Sequence, residues 1–205
     1  MAASSTPAVI DGRRQRSERT RQHIIEAYLA LLRESSRVPT GAQIAERAGY
    51  SVRSIFERFP DLLTLSLAAA DFAFAQANTD AVIRNVSADR PTRIRTQVET
   101  RAGTCERWLP LWRALHVNQH HSPELQQRLR FMRDAIMQRL ELMYRPELST
   151  LVEAERRQIL IALEALTDFE SWARMRFEHA LTIEDACAVW IRTIDGLLPA
   201  TPAVS

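Results

Sequence analysis

The 205-residue chain contains no lysine; all 27 of its basic residues are Arg. That absence removes the P-loop lysine, Schiff-base chemistry and pyridoxal-phosphate catalysis together. Glycine is scarce as well. Gly12, Gly41, Gly49, Gly103 and Gly196 are the whole set, and none of them builds a GxGxxG phosphate cradle. Five Gly and nine Pro supply too few tight turns for a sandwich or barrel, which leaves long helices. Cys105 and Cys187 stand far apart, so neither a disulfide framework nor a Cys-based zinc site is expected. A reduced, cytoplasmic chain follows. No signal-peptide core precedes Gln22, and no run approaches the roughly 18 apolar residues of a membrane span. No membrane partner, metal or cofactor is expected.

What is present is a globular balance: 46% hydrophobic and 25% charged residues, enough for one or two compact domains. The net charge of +2 hides an asymmetry. Residues 1–60 hold 10 Arg against 6 acids, and residues 61–205 hold 17 Arg against 19 acids. A basic first third is compatible with a polyanionic partner, and equally with a soluble, mildly basic surface.

Periodicity then divides the chain. Residues 1–16 are expected to be a disordered leader carrying Arg13, Arg14 and Arg16. Ser17 is a candidate cap for a first helix bearing Ile24, Ile25, Tyr28, Leu29 and Leu32. Thr40 followed by Gln43 is a capping box, and Gly49 is a stop signal nine residues on. Ser51 caps a second short helix with Ile55 and Phe59 inward, and Asp61 caps a long one. Further helices are expected from Pro91 to about Cys105, from Trp108 to Val117 beyond a break at Pro110, from Ser122 to Arg145, from Leu151 to His179, and after Thr182. The total is nine helices and no strand, an all-α chain.

Residues 40–59 carry the functional signal. Two short helices meet at Ala48-Gly49-Tyr50-Ser51, where Gly49 permits a positive φ and a steep crossing. This is the layout of a helix-turn-helix, whose second helix enters the major groove. Thr40, Gln43, Tyr50, Ser51, Val52, Arg53, Ser54, Phe56, Glu57 and Arg58 are the candidate DNA-contacting residues, with Arg13, Arg14 and Arg16 as a basic arm. An ordinary helical hairpin would show the same caps and periodicity.

At Ile44-Ala45-Glu46-Arg47-Ala48-Gly49-Tyr50-Ser51-Val52-Arg53-Ser54-Ile55-Phe56-Glu57-Arg58-Phe59, the sequence resembles the TetR family of bacterial transcriptional regulators. The resemblance covers residues 17–65 closely and the rest only in length and helix count. Four positions depart from the family pattern. Tyr50 replaces a small apolar residue, Arg53 a frequent Gly, Phe56 the usual Tyr with its phosphate-binding hydroxyl, and Leu62 a common Lys. The resemblance implies an all-helical homodimer on a palindromic double-stranded DNA operator. It assigns residues 17–60 to DNA binding and residues 61–205 to effector binding and dimerisation. A small-molecule effector is expected to release the operator.

Trp108, Trp112, His116, Met132, Tyr144, Phe169, Trp172 and Met175 are the candidate effector-lining residues, and all of them suit an ordinary core equally well. Trp190, Ile191, Ile194 and Leu198 form an apolar stripe expected at the dimer axis, with an intramolecular core as the alternative. His120-His121 lack a Cys partner and a metal-ligand spacing. GxSxG, HExxH and paired ExxH are all absent, so an enzyme is not expected. A helical protein–protein adaptor with degenerate DNA binding, or an all-α enzyme, are the alternatives to a ligand-responsive repressor.

Overall fold

The helical stripes become ten α-helices in the computed structural model, which describes residues 8–35, 37–80, 84–118 and 122–203. They are α1 (Ala8–Glu34), α2 (Gly41–Ala48), α3 (Val52–Arg58), α4 (Leu62–Asp80), α5 (Arg90–Asn118), α6 (Pro123–Met143), α7 (Arg145–Leu148), α8 (Glu153–Leu166), α9 (Phe169–Ala173) and α10 (Ile183–Leu197). A π turn, Arg174–Glu178, follows α9. Among the described residues there is no strand, and no helix is long and apolar enough to cross a membrane. His120-His121 lie outside the described residues.

Three boundaries differ from the sequence reading. First, α1 begins at Ala8 rather than at Ser17, so residues 8–16 are helical instead of a disordered leader. The Arg13, Arg14, Gln15 and Arg16 that marked this stretch as polar are themselves good helix formers. Second, Pro110 lies inside α5 and does not divide it. An interior proline costs about 3 kcal/mol, but Trp108, Leu109, Leu111 and Leu115 are all buried around it, and that packing offsets the lost bond. Third, the long helix expected to end at His179 is cut at Thr167-Asp168. Thr167 turns its hydroxyl back to the Leu163 carbonyl (2.8 Å), and Asp168 restarts the chain by accepting from the Ser171 amide (2.6 Å). The short α7 also adds an element that the sequence reading ended at Arg145-Pro146.

One continuous core results. Ile24, Tyr28, Ile44, Ile55, Phe59 and Leu65 form its N-terminal end, where α1 to α3 meet the start of α4. Ile94, Leu115, Leu140, Leu163, Trp172, Trp190 and Ile194 belong to the rest of it, around α5. A charge pair pins the near end of α5. Arg93 and Glu147 are both fully buried. Arg93 donates Nη1 to Glu147 Oε2 at 2.8 Å, Nη2 to Oε1 at 2.5 Å, Nη1 again to the Met143 carbonyl at 2.7 Å, and Nε to the Ala88 carbonyl at 3.0 Å. The Thr201 hydroxyl also donates to Glu147 Oε1 at 2.5 Å. Burial alone would raise the Glu147 pKa; the hydrogen bonds from Arg93 and Thr201 outweigh it and hold the carboxyl below its ordinary value.

Glu147→Gln leaves Arg93 buried without its counter-charge, and should cost about 3–5 kcal/mol, read by chemical denaturation at neutral pH. The pH dependence has a definite sign. A depressed carboxyl stabilises the fold fully above its unfolded pKa, and that stability is lost as pH falls through the lower folded value. The parent should therefore lose stability on acidification where the Gln variant shows a flatter curve. Equal acid limbs in the two proteins would show that Glu147 is not the responsible group.

Candidate nucleic-acid interface

The helix pair at residues 40–59 is built from local signals, each satisfied. Thr40 accepts from the Gln43 amide at 3.3 Å, and Gln43 Oε1 accepts from the Thr40 amide at 2.9 Å, so the capping box closes both ways. The far end of α2 stops at Gly49, which takes φ 73° and ψ 29°. This left-handed conformation favours glycine. It lets Gly49 N–H reach the Glu46 carbonyl (3.3 Å) and Tyr50 N–H reach the Ala45 carbonyl (3.0 Å). Two residues later Ser51 accepts from the Ser54 amide at 3.1 Å and starts α3.

The orientation of α3 is fixed from α1. Arg21 donates Nη1 to the Arg58 carbonyl at 2.9 Å, a cation on the negative end of α3. The same guanidinium sits 4.4 Å from the Phe59 ring centroid. Phe56 reaches back over the start of α2: a Cβ on Gly41 would come within 2.9 Å of Phe56 Cζ. Ile55 and Phe59 are fully buried beneath. What α3 leaves outward is therefore Val52, Arg53, Phe56 and Glu57.

Arg53 is the most extended of these, with its side chain 88% exposed. Its Nε donates to Glu57 Oε1 at 2.9 Å, one turn along. The other residues singled out from sequence serve the frame more than the face. Arg58 is half-buried and folds Nη1 onto the Ser54 carbonyl at 3.2 Å. Ser54 and Ser51 share a 2.9 Å hydroxyl contact. Tyr50 is half-buried with its hydroxyl 3.4 Å from His23 Nδ1. Thr40 and Gln43 are exposed but occupied by the cap. Arg14 and Arg16 are exposed near the start of α1, Arg16 Nε reaching the Gly12 carbonyl at 3.2 Å; the Arg13 side chain lies outside the described residues.

A second concave site lies between α4, α5, α6 and α8. It is a cavity of about 480 Å³, within the range of small-molecule sites. Trp108, Trp112, Met132 and Phe169 line it. Trp112 stacks on Phe169 with centroids 4.7 Å apart, and the His116 ring is tilted against Trp112 at 4.2 Å. Partial burial pulls the His116 pKa down. Tyr144, Trp172 and Met175 lie in the packed interior outside this lining. Trp172 donates Nε1 to Glu106 Oε1 at 2.8 Å and packs on Trp190 at 4.8 Å.

Sequence reasoning missed the polar lining, which includes Gln97, Thr100, Arg101 and Thr104 on α5 and Arg133 and Arg139 on α6. The signal was present. Positions 97, 100, 101, 104, 108, 111, 112 and 115 recur at helical spacing. Dividing the helix at Pro110 hid that one face.

The stripe expected at a dimer axis needs correction. Trp190 and Ile194 are fully buried and Leu198 nearly so within the single chain, and only Ile191 is half-exposed. Trp190 packs on Trp172, and α10 packs on α5, so most of this stripe is covered within the chain while Ile191 keeps part of its surface open. The exposed apolar residues on these helices are Val189 and Ile183 of α10 and Ile161 of α8.

No protein-family model matches the chain, and no curated protein matches it in sequence. A solved structure does match: a Rhodococcus sp. protein assigned to the TetR family of transcriptional regulators. It superposes with a TM-score of 0.68 over 87% of this chain and 98% of that one, at 18% sequence identity. At so low an identity the likeness concerns the arrangement of helices, and in that arrangement the chain has a TetR-like fold.

Proposed function

We propose that this protein is a DNA-binding transcriptional regulator, a repressor that binds a palindromic operator as a homodimer and is released by a small molecule. One observation carries the reading. Two short capped helices cross at a left-handed glycine, and the second presents Val52, Arg53, Phe56 and Glu57 to solvent on a buried apolar base. A helix so mounted fits a major groove about 12 Å wide. Arg14 and Arg16, with Arg13, supply further cations from the start of α1, as a helix end rather than a flexible arm. The cavity between α4, α5, α6 and α8 is the effector site in this reading, and α4 joins it to the DNA-reading head. The effector acts only by preferring the arrangement that does not bind DNA.

A second reading, a helical adaptor for another protein, draws on the same face. Val52 and Phe56 are exposed apolar groups beside an Arg53–Glu57 pair that is already neutralised internally. Selection of binding sites from random DNA separates the two, since an adaptor enriches no sequence.

Arg53→Ala should weaken binding to the selected site by roughly 1–3 kcal/mol and relax preference at one base position, as a lost bidentate base contact does. Its α3 register and caps do not involve the Arg53 side chain, so circular dichroism should be unchanged. Undiminished affinity with the same sequence preference would remove Arg53 from the contact.

Dimerisation is assigned to the outer faces of α8 and α10, where Ile161 and Val189 are each about half exposed. Sedimentation should find the parent dimeric at micromolar concentration. Ile161→Glu with Val189→Glu should yield a folded monomer with weakened palindrome binding, because two charges per chain then face the axis. A parent monomer that still binds a palindrome tightly would overturn the assignment.

A further inference from the structure

The outward surface of α3 carries two adjacent rows. Val52 and Phe56 stand one turn apart in the first, and Arg53 and Glu57 one turn apart in the second. The charged row is closed on itself, Arg53 Nε donating to Glu57 Oε1 at 2.9 Å. The apolar row is open: Val52 is 43% exposed and Phe56 41%. Neither residue is needed to hold α3 down, because Ile55 and Phe59 are fully buried and supply its inward face. Phe56 is nevertheless held in place. A Cβ on Gly41 would approach its Cζ to 2.9 Å and its Cε2 to 3.1 Å, so the ring is seated on the start of α2 while much of it stays in solvent.

An open apolar row calls for an apolar cover, and the candidate covers differ in what they need. A stable protein partner takes about 800 Å² from each side, and two side chains less than half exposed provide a small fraction of that. Charge favours a polyanion instead. Residues 1–60 carry 10 Arg against 6 acids, with Arg14, Arg16 and Arg19 exposed on α1. In the major groove of DNA the base edges offer hydrogen-bonding groups and one apolar group, the C5-methyl of thymine. Val and Phe side chains form no hydrogen bonds. Against a phosphate or a polar base edge they would strip water without replacing it; against a thymine methyl they lose nothing.

We propose that Val52 and Phe56 read thymine methyl groups, so that each operator half-site carries two thymines whose methyls these side chains cover. This rests on the DNA-binding reading of α3 and adds the base chemistry that the helix recognises. Four residues separate the two side chains by about 6 Å along the helix axis, roughly two base-pair steps of about 3.4 Å, so each covers a different thymine. Arg53, in the neighbouring row, is left for a hydrogen-bonding acceptor.

The test begins with a site selected from random DNA by the full chain. Each thymine of that site is then replaced by deoxyuridine in both half-sites, which removes the methyl and nothing else. Binding is read by fluorescence anisotropy of the labelled duplex, at low salt so that weakened variants stay measurable. At two positions per half-site, affinity should fall about fourfold for each methyl lost, or about fifteenfold with both half-sites changed, as expected for burial of one such group. Phe56→Ser should abolish the penalty at one of the two positions and keep it at the other, and Val52→Ser should do the reverse. Each comparison sets thymine against deoxyuridine within one variant, so a general loss of affinity cancels, and the melting temperature checks that each variant is folded. A 5-methylcytosine–guanine pair at a sensitive position should bind more tightly than cytosine–guanine, because only the first keeps the methyl. The proposal is overturned if no thymine is sensitive to loss of its methyl, or if the penalties survive in both Ser variants. If the selection enriches no sequence at all, the DNA-binding reading of α3 falls, and the methyl assignment with it.

Discussion

A single ion pair without water access, Arg93 with Glu147, sets the position of α5, the helix that lines the cavity along its length and packs against both α4 and α1. It ties the first turn of α5 to the corner between α6 and α7, and Thr201 binds the C-terminal tail to the same carboxylate. Arg90 adds a second clasp three residues earlier, its Nε donating to Asp195 Oδ1 at 2.7 Å and its Nη2 to the Leu198 carbonyl at 3.2 Å. Such a pair adds little net stability over a well-packed apolar substitute, because each charge is costly to desolvate. What it does supply is register. A guanidinium fork satisfied by two carboxylate oxygens and two carbonyls fits one rotation of α5 about its axis. That rotation turns Gln97, Arg101, Trp108 and Trp112 toward the cavity and Ile94, Val98 and Cys105 into the core.

The cavity and the helix-turn-helix unit, the head of the proposed reading, share α4. Its first turns belong to the head: Leu65 is in the N-terminal end of the core, and the Ser66 and Tyr28 hydroxyls meet at 2.9 Å inside it. Its later turns, Ala70, Ala73, Phe74 and Ala77, line the cavity. The small residues matter here, since three alanines leave room that larger side chains would fill. A rigid helix of this length moves as a unit, so a ligand that displaces its far end displaces Leu65 and Ser66 too. On the proposed reading, that is the mechanical link between effector and operator. It needs two packing arrangements of α4 against α1 that differ in ligand affinity, and one hydrogen bond at Tyr28 is a modest barrier between them.

The helix-turn-helix was legible in the sequence because its signals are local. Thr40 with Gln43, Gly49 and Ser51 each satisfy backbone groups within a few residues, and the caps stand where their spacing placed them. Errors arose where tertiary packing overrides a local rule. Pro110 does break helices in isolation, yet the surrounding core keeps α5 whole. Thr167-Asp168 looked like helix interior because the apolar period runs through it, and the stop is made by side chains turned back on the backbone. Trp190 and Ile194 show the same limit. An apolar stripe tells that a face is buried, but not whether the cover belongs to the same chain; the partner is Trp172, in a segment whose break the period concealed.

The missing lysine has a structural counterpart in how this chain makes contacts between helices. Arg113 meets Glu170 with two nitrogens at 3.2 and 3.1 Å, joining α5 to α9; Arg128 meets Asp71 at 2.8 and 3.1 Å, joining α6 to α4. An ammonium is a point charge and fixes a distance, whereas a planar fork also fixes an angle. These exposed pairs contribute roughly 0–1 kcal/mol each, so they orient helices more than they stabilise them. The same chemistry governs the outward face of α3. Arg53 stands in water held by Glu57, and its hydrogen bond to that carboxylate raises its already high pKa. A guanidinium that remains charged at every accessible pH can exchange a carboxylate for a phosphate or a guanine edge without changing protonation. On the proposed reading, Glu57 then lies beside the phosphates it would repel. Binding at this face must therefore gain more from Arg53 than it loses at Glu57. On the proposed reading, that balance is met where Arg53 finds a geometrically matched acceptor, and the pair would then reject mismatched DNA as much as hold the right site.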